Sequence, residues 1–290
     1  MSGLVWLASY PKSGSTWLRT MLSALLTPER EVNLHELVGR ATLDTPSGLD
    51  EELGFDPAEL SPDALNEVRA AAFRRAAASA PATTPTFQKT HLANITLRDR
   101  ARLFDERSGR AVYLVRDPRD VAVSYSHYIA EPVNRVVEAM CGDETVLGRA
   151  QLVRPTFLQQ PMGSWSGHAQ SWVDSPPLPV LTVRYEDLLA DPAGQLKRVA
   201  AFAGLDASTD ALTQAVLRTS LPALRALEDE HGFPESMATA DRFFRNGVAG
   251  EGLLLPAELQ HQLIASCGPT MQKLGYGSEA STTPASERQP

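Results

Sequence analysis

The sequence predicts one α/β domain, a central parallel sheet with helices on both faces, and three observations carry that expectation. Short apolar runs recur along the chain. Segments of helical period separate them, as strands alternating with helices require. The first run hands over to a helix through a polar turn that contains Gly14.

Leu4-Val5-Trp6-Leu7-Ala8 reads as a strand buried on both faces. Trp17, Leu18, Met21, Leu22, Leu25 and Leu26 follow at helical spacing. Residues 28–85 are rich in Pro, Ala and charge; within them Ala64–Ala80 reads as a helix and Pro81–Pro85 as a linker. Thr86–Lys89 is the second strand. Ala111–Val115 is the third and clearest, bounded by Gly109 and Asp117. A helix starts there, with Asp117 as N-cap, Pro118 at its first position and Asp120 at its third, both acids suiting caps. Residues 131–165 read as irregular, and His168–Val173 as helix. Val180–Val183 is the fourth strand; Pro192–Ala203, Asp210–Leu217 and Pro222–Glu230 read as helices. The domain is expected to span 1–276, with 277–290 a polar, disordered tail.

Composition narrows the function. The chain has 290 residues, 43% apolar, enough for a full core, and a formal net charge of −8. That balance argues against wrapping nucleic acid or a polyanionic glycan, so any anion site is a local patch. Cys141 and Cys267 stand apart in the sequence without His partners at metal spacing. They imply a reducing cytoplasm, no disulfide framework and no metal site. No apolar run reaches the ~18 residues of a membrane span. Leu4–Ala8 lacks a basic region before it and is interrupted by Pro11-Lys12, so it is not read as a signal peptide.

The chemistry is concentrated between the first strand and its helix. Lys12, Ser13, Gly14, Ser15 and Thr16 lie where free backbone amides and the helix dipole favour an anion. The loop is not a Walker A motif, in which lysine directly follows the glycine. Here Ser15 follows Gly14, and Lys12 precedes it by two. A donor with one phosphate and one sulfate carries less charge at its transferring end than ATP, and a lysine can neutralise its bridging oxygen without Mg²⁺. The run Tyr10-Pro11-Lys12-Ser13-Gly14-Ser15-Thr16-Trp17 resembles the phosphosulfate loop of the sulfotransferases that use 3′-phosphoadenosine 5′-phosphosulfate (PAPS).

Further segments resemble the same family. Gln88-Lys89-Thr90-His91-Leu92 is similar to its catalytic-histidine segment. Two apart on an extended chain, Lys89 and His91 share a face. Imidazole suits a base at neutral pH, and Lys89 suits charge on the transferring group. Val115-Arg116-Asp117-Pro118-Arg119-Asp120 through Ser124 resembles the 3′-phosphate segment, which implies Arg116 and Ser124 as phosphate ligands. Val183-Arg184-Tyr185-Glu186-Asp187-Leu188 resembles a segment that implies Tyr185 near the adenine, with Trp17 stacked there. Phe244 to Gly252 resembles a loop usually written R-K-G-x-x-G-[DE]-W, implying Arg245, Asn246 and Gly247 at the 3′-phosphate. This chain departs twice, with Asn246 for the lysine and Gly252 for the tryptophan, which leaves the 3′-phosphate clamp and the stiffness of the loop open.

The resemblance implies a P-loop-like fold and PAPS as co-substrate, with 3′,5′-ADP (PAP) as product. His91, Lys12 and Lys89 would be catalytic, with no metal. The acceptor would be a hydroxyl on a small or mid-sized molecule, its pocket built from about 30–85 and 130–165. Gly163-Ser164-Trp165 and Ser171-Trp172 look most like the bacterial branch that tailors natural products such as glycopeptide antibiotics; the same tryptophans also suit a core. No nucleic-acid or membrane partner is expected, and no motif fixes a homodimer. Two other readings stay open. A phosphotransferase using ATP and Mg²⁺ has Asp117 as a candidate acid but the wrong lysine register. A non-catalytic nucleotide-binding scaffold would be expected to lack Lys12, Lys89 or His91. His168 reads as structural and His127 as peripheral; Arg119 reads as paired with an acid, and Glu186 and Asp187 as structural.

Overall fold

The computed structural model describes residues 3–40, 60–147, 158–237 and 242–277, with positions 43, 45, 48, 49, 54 and 57 between the first two stretches. The segment 148–157 and the tail from 278 lie outside the described residues. Strands β1 (Leu4–Ser9), β2 (Thr86–Thr90), β3 (Arg110–Val115) and β6 (Val180–Arg184) form one sheet in the order β2-β1-β3-β6, every pair parallel. A short antiparallel pair, β4 (Val146–Leu147) and β5 (Gln160–Pro161), stands apart from it.

The alternation of side chains along β1 divides the interior into two cores. Leu4, Trp6 and Ala8 face one side with Ala111, Tyr113 and Val115. That side is covered by α2 (Pro62–Ser79), α3 (Pro118–Ile129), α4 (Val133–Cys141), α5 (Trp165–Val173) and α10 (Ala257–Lys273). Val5 and Leu7 face the other with Val112, Leu114 and Val183. There the cover is α1 (Ser15–Leu26), α7 (Pro192–Ala203), α8 (Thr209–Arg218) and α9 (Leu221–His231). The short α6 (Tyr185–Ala190) follows β6. The expected three layers are therefore present, with predicted strands and helices within three residues of their observed ends; the largest offset is the start of α5, at Trp165 where His168 was expected.

Some expectations change. Residues 131–165 are not irregular throughout: they contain α4, whose Val136, Val137 and Met140 are buried, and the β4–β5 pair. Helix α10 had no counterpart in the sequence reading, and its Pro269 sits inside it. Asp117 does cap α3, accepting from the Arg119 amide at 2.9 Å. Asp120 does not; its carboxylate accepts from the Gly250 and Gly252 amides at 2.8 and 2.6 Å. Cys141 and Cys267, far apart in sequence, are free thiols brought to the region where α4 packs on α10; Cys141 donates to the Gln262 carbonyl of α10 at 3.9 Å.

Helix α5 fixes the exit of β2. Trp172 donates its indole N–H to the Leu92 carbonyl at 3.0 Å, and His168 Nε2–H donates to the His91 carbonyl at 3.1 Å. Tyr113 donates its hydroxyl to His168 Nδ1 at 3.0 Å, so both nitrogens of the buried imidazole are satisfied, as a structural histidine requires. The Trp172 ring continues an aromatic stack with Phe104, Phe73 and Trp6 at centroid distances of 4.8, 4.9 and 4.6 Å. Trp172→Ala is expected to cost about 3–5 kcal/mol, read from urea denaturation midpoints. A loss below about 1 kcal/mol would show that this stack does not support the exit of β2.

Candidate active site

All four strands of the main sheet end on the same edge, and a predicted site residue follows each end. The phosphate loop leaves β1, His91 follows β2, Arg116 follows β3 and Tyr185 follows β6. Ligands of open parallel sheets bind at this carboxyl edge. One solvent-open cleft, with about 1040 Å³ of space, is lined there by Lys12, Lys89, His91, Arg116 and Tyr185 among others. Gly14, Ser15, Thr16, Trp17, Ser124, Arg245, Asn246 and Gly247 line it too. Of the predicted residues only Ser13 is outside the lining; its buried hydroxyl has no hydrogen-bond partner among the described residues. His127 is exposed and does not line the cleft.

The loop is curled by two left-handed residues, Lys12 at φ 65° and Gly14 at φ 97°. Gly14 is required twice over. Its φ disfavours a side chain, and a Cβ would sit 2.6 Å from the Tyr185 ring. No side chain caps α1, so its first amides face an anion site without a built-in competitor. Trp17 is anchored by its indole N–H to the Thr219 carbonyl at 3.1 Å and meets Tyr185 edge-to-face at 6.2 Å. The Lys12 ammonium rests between two rings, 4.3 Å from the Tyr128 centroid and 3.9 Å from that of Phe243. Burial, then the charges of Lys89, Arg116 and Arg245, bring its pKa down to about 7.

His91 Nδ1 donates to the Ser9 carbonyl at 2.7 Å, which leaves Nε2 as the acceptor. Burial, then the charge of Lys89, pulls its pKa to about 3, so the ring is neutral at physiological pH. Lys89 donates to Glu235 at 2.7 Å, and the same carboxylate takes Arg19 at 2.5 Å. Burial pushes the Glu235 carboxyl up, but Lys89 and Arg19 overcome it and hold the pKa at about 2. Sequence reasoning missed Glu235. It lies on the loop after α9, outside every motif, and only folding brings it to Arg19 and Lys89.

Arg116 is a strut as well as a cleft residue. It donates to the Lys12 carbonyl at 3.3 Å and the Val248 carbonyl at 2.9 Å, and its guanidinium lies 4.3 Å over the Tyr185 ring. Its Nε is buried with no hydrogen-bond partner among the described residues. The loop from Phe244 to Gly252 is held on several sides. Asp120 takes the Gly250 and Gly252 amides. Glu228 takes the Phe243 and Phe244 amides at 2.6 and 3.1 Å, and Arg225 donates to the Phe244 and Arg245 carbonyls. A Cβ at Gly252 would lie 2.3 Å from the Arg119 backbone, so the glycine that departs from the family pattern is forced here. Glu251, also in the cleft lining, accepts from the Asn246 amide at 2.6 Å and pairs with Arg245 at 3.5 Å. Arg119 pairs with Asp117 at 2.6 Å, and Glu186 accepts from the Asp117 amide and the Tyr276 hydroxyl, so both are structural. Asp187 sits 3.7 Å from Arg184. Among the described residues, no group of three or more His, Cys, Asp or Glu is gathered where it could hold a metal ion, and no helix is long and apolar enough to cross a membrane.

An uncapped helix start, two lysines and a neutral imidazole lie together at the carboxyl edge of a parallel sheet, an arrangement that suits an anionic ligand. The sulfotransferase domain family matches residues 3–265. The chain belongs to that family and is a sulfotransferase. Dog sulfotransferase 1B1 is 25% identical over 257 residues, covering 84% of this chain and 75% of the relative. Cytosolic sulfotransferase 14 of Arabidopsis thaliana is 30% identical over 202 residues, covering 69% of this chain and 53% of the relative. The fold is similar to that of mouse sulfotransferase SULT7A1 complexed with PAP, with a TM-score of 0.56, 20% identity and coverage of 92% and 83% of the two chains. A retinol dehydratase in complex with androsterone and PAP gives 0.57 at 20% identity, with coverage of 93% and 81%.

Arg19 is 1% exposed, so removing its counter-ion strands a charge in the interior. Glu235→Ala is expected to destabilise the protein by about 3 kcal/mol in urea denaturation, the low end for a buried pair because the carboxylate itself is partly open to solvent. A cost below about 1 kcal/mol would mean that Arg19 finds another partner.

Proposed function

We propose that the protein transfers a sulfuryl group from PAPS to a hydroxyl of a small or mid-sized acceptor. The observation that carries this reading is the pair of lysines that share one cleft with an imidazole whose tautomer the Ser9 carbonyl sets. The residues present fit the donor. The uncapped amides at the start of α1 suit a 5′-phosphosulfate, and the unpartnered Ser13 hydroxyl and Arg116 Nε are buried donors with capacity to spare.

In this reading, Lys12 and the segment Ser13–Thr16 hold the phosphosulfate, and Trp17 and Tyr185 bracket the adenine. Arg116, Ser124, Arg245, Asn246 and Gly247 hold the 3′-phosphate. His91 Nε2 takes the acceptor's hydroxyl proton as its oxygen bonds to sulfur. The bond from sulfur to the bridging oxygen breaks, and Lys12 balances the charge left on that oxygen. Lys89, held by Glu235, acts on the transferring group. A base with so low a pKa in the free protein gains basicity when an anionic donor sits beside it. The neighbouring anion, not the imidazole alone, tunes the proton transfer.

The domain is read as 1–276 and its location as cytoplasmic, like the relative named a cytosolic sulfotransferase. Acceptors of the natural-product class, glycopeptide antibiotics first, are the ones to test. Trp165 and Trp172, which raised that class, are fully buried core residues, so they contribute nothing to an acceptor pocket.

Incubation with sulfur-labelled PAPS and a producing-cell extract is expected to give a sulfated product by mass spectrometry. His91→Ala is expected to lower turnover by at least about 10²-fold while leaving 3′,5′-ADP affinity within about threefold. Retained turnover would remove His91 as the base. Lys12 supplies a second test. Its pKa near 7 in the free protein rises beside a bound anion, so above pH 7 the complex holds a proton that the free protein has lost. Calorimetry at pH 8 in buffers of different ionisation enthalpy is expected to show net proton uptake on 3′,5′-ADP binding, with affinity falling as pH rises past 7. Proton release, or no exchange, would contradict the placement of Lys12 at the donor.

A further inference from the structure

We propose that Glu251 is a built-in counter-anion of the 3′-phosphate pocket and sets how strongly the site favours a 3′-phosphorylated nucleotide. The inference rests on the PAPS reading above. Arg245, Asn246 and Glu251 line the same cleft, and the Glu251 carboxylate takes both of the others, Asn246 at 2.6 Å and Arg245 at 3.5 Å. These are two of the side chains assigned to the 3′-phosphate. A phosphate reaching them meets a resident carboxylate, and two anions cannot keep the same donors without repulsion.

The carboxylate is not needed to shape the loop. Asp120 holds the Gly250 and Gly252 amides, Arg116 the Val248 carbonyl, Glu228 the Phe243 and Phe244 amides, and Arg225 the carbonyls of Phe244 and Arg245. Those contacts surround Glu251 and fix its backbone at the start of the 3₁₀ turn Glu251–Leu254. What remains free to change is its side chain, which is 19% exposed and has a route to water. Arrival of a 3′-phosphate displaces it from Arg245 and Asn246; departure of the product lets it return. In the free protein it keeps Arg245 from facing Lys12 and Arg116 without a nearby anion. Asn246 adds to the effect, because a neutral amide stands where the family pattern has a lysine, so Arg245 is the cation that both anions seek.

The test is calorimetric titration of wild-type protein, Glu251→Gln and Glu251→Asp with 3′,5′-ADP and with 5′-AMP, which lacks the 3′-phosphate. Glu251→Gln keeps the size of the side chain and removes its charge. It is expected to bind 3′,5′-ADP about tenfold more tightly and to change 5′-AMP binding by less than about twofold. Glu251→Asp keeps the charge and is expected to stay within about twofold of wild type for both. An unchanged or weaker preference for 3′,5′-ADP in Glu251→Gln overturns the proposal, since the carboxylate would then orient Arg245 rather than compete for it. An equal gain in Glu251→Asp also overturns it, because the effect would be one of bulk. If wild-type protein itself fails to prefer 3′,5′-ADP to 5′-AMP, the donor reading falls, and this inference with it.

Discussion

Like charges crowded at one edge of the sheet are the constraint that the rest of the site answers. Lys12, Lys89, Arg116 and Arg245 share a single cleft, in a chain whose net charge is negative. Four cations brought together without a ligand repel, and the repulsion reaches Lys12, whose pKa falls as burial and the neighbouring charges act together. The protein meets this with a separate acid for most of them. Glu235 takes Lys89, Asp120 lies 3.7 Å from Arg116, and Glu251 takes Arg245. Among the described residues no carboxylate is in hydrogen-bonding contact with Lys12, which rests on the faces of Tyr128 and Phe243. That leaves Lys12 the cation most ready to respond to an incoming anion.

The sheet makes the crowding possible. Four parallel strands in register bring residues from three distant parts of the sequence to one edge beside the phosphate loop. The layers above and below then fix their angles. Helix α5 holds the backbone of His91 and Leu92 through His168 and Trp172. Arg116 ties the Lys12 carbonyl to that of Val248, so the two ends of the expected nucleotide pocket share one side chain. Polar contacts of this kind are strong in a partly dry cleft and expensive to leave half made.

Much of this was legible in the sequence, for local reasons. A strand buried on both faces must be apolar throughout, so Leu4–Ala8 and Ala111–Val115 announce themselves. The phosphate loop is equally local, since glycine, lysine and hydroxyls must be neighbours to wrap one anion. What escaped was either non-local or masked by other signals. Helix α4 carries Val136, Val137 and Met140 at helical spacing, but it is short and sits between Pro132 and Gly142. Helix α10 is interrupted to the eye by Gly268-Pro269. Asp120 has the position of a helix cap and was read as one, whereas its partners, Gly250 and Gly252, lie far along the chain. Glu235 has meaning only through its folded partners, and no spacing rule points to it; Glu251 stands at the acidic position of the loop pattern, but its contacts with Arg245 and Asn246 come only with the fold.

The Tyr276 hydroxyl reaches Glu186, which in turn holds the backbone amide of Asp117 at the start of α3; Arg119 and Arg184 add bonds to the Gly277 and Gly275 carbonyls. The helix that follows Arg116 is therefore braced by residues made long after it. During synthesis on the ribosome the phosphate loop and its histidine emerge early, but this brace cannot close until residue 276 has left the exit tunnel. The order of translation thus leaves the start of α3 without this brace until the last helix has been made.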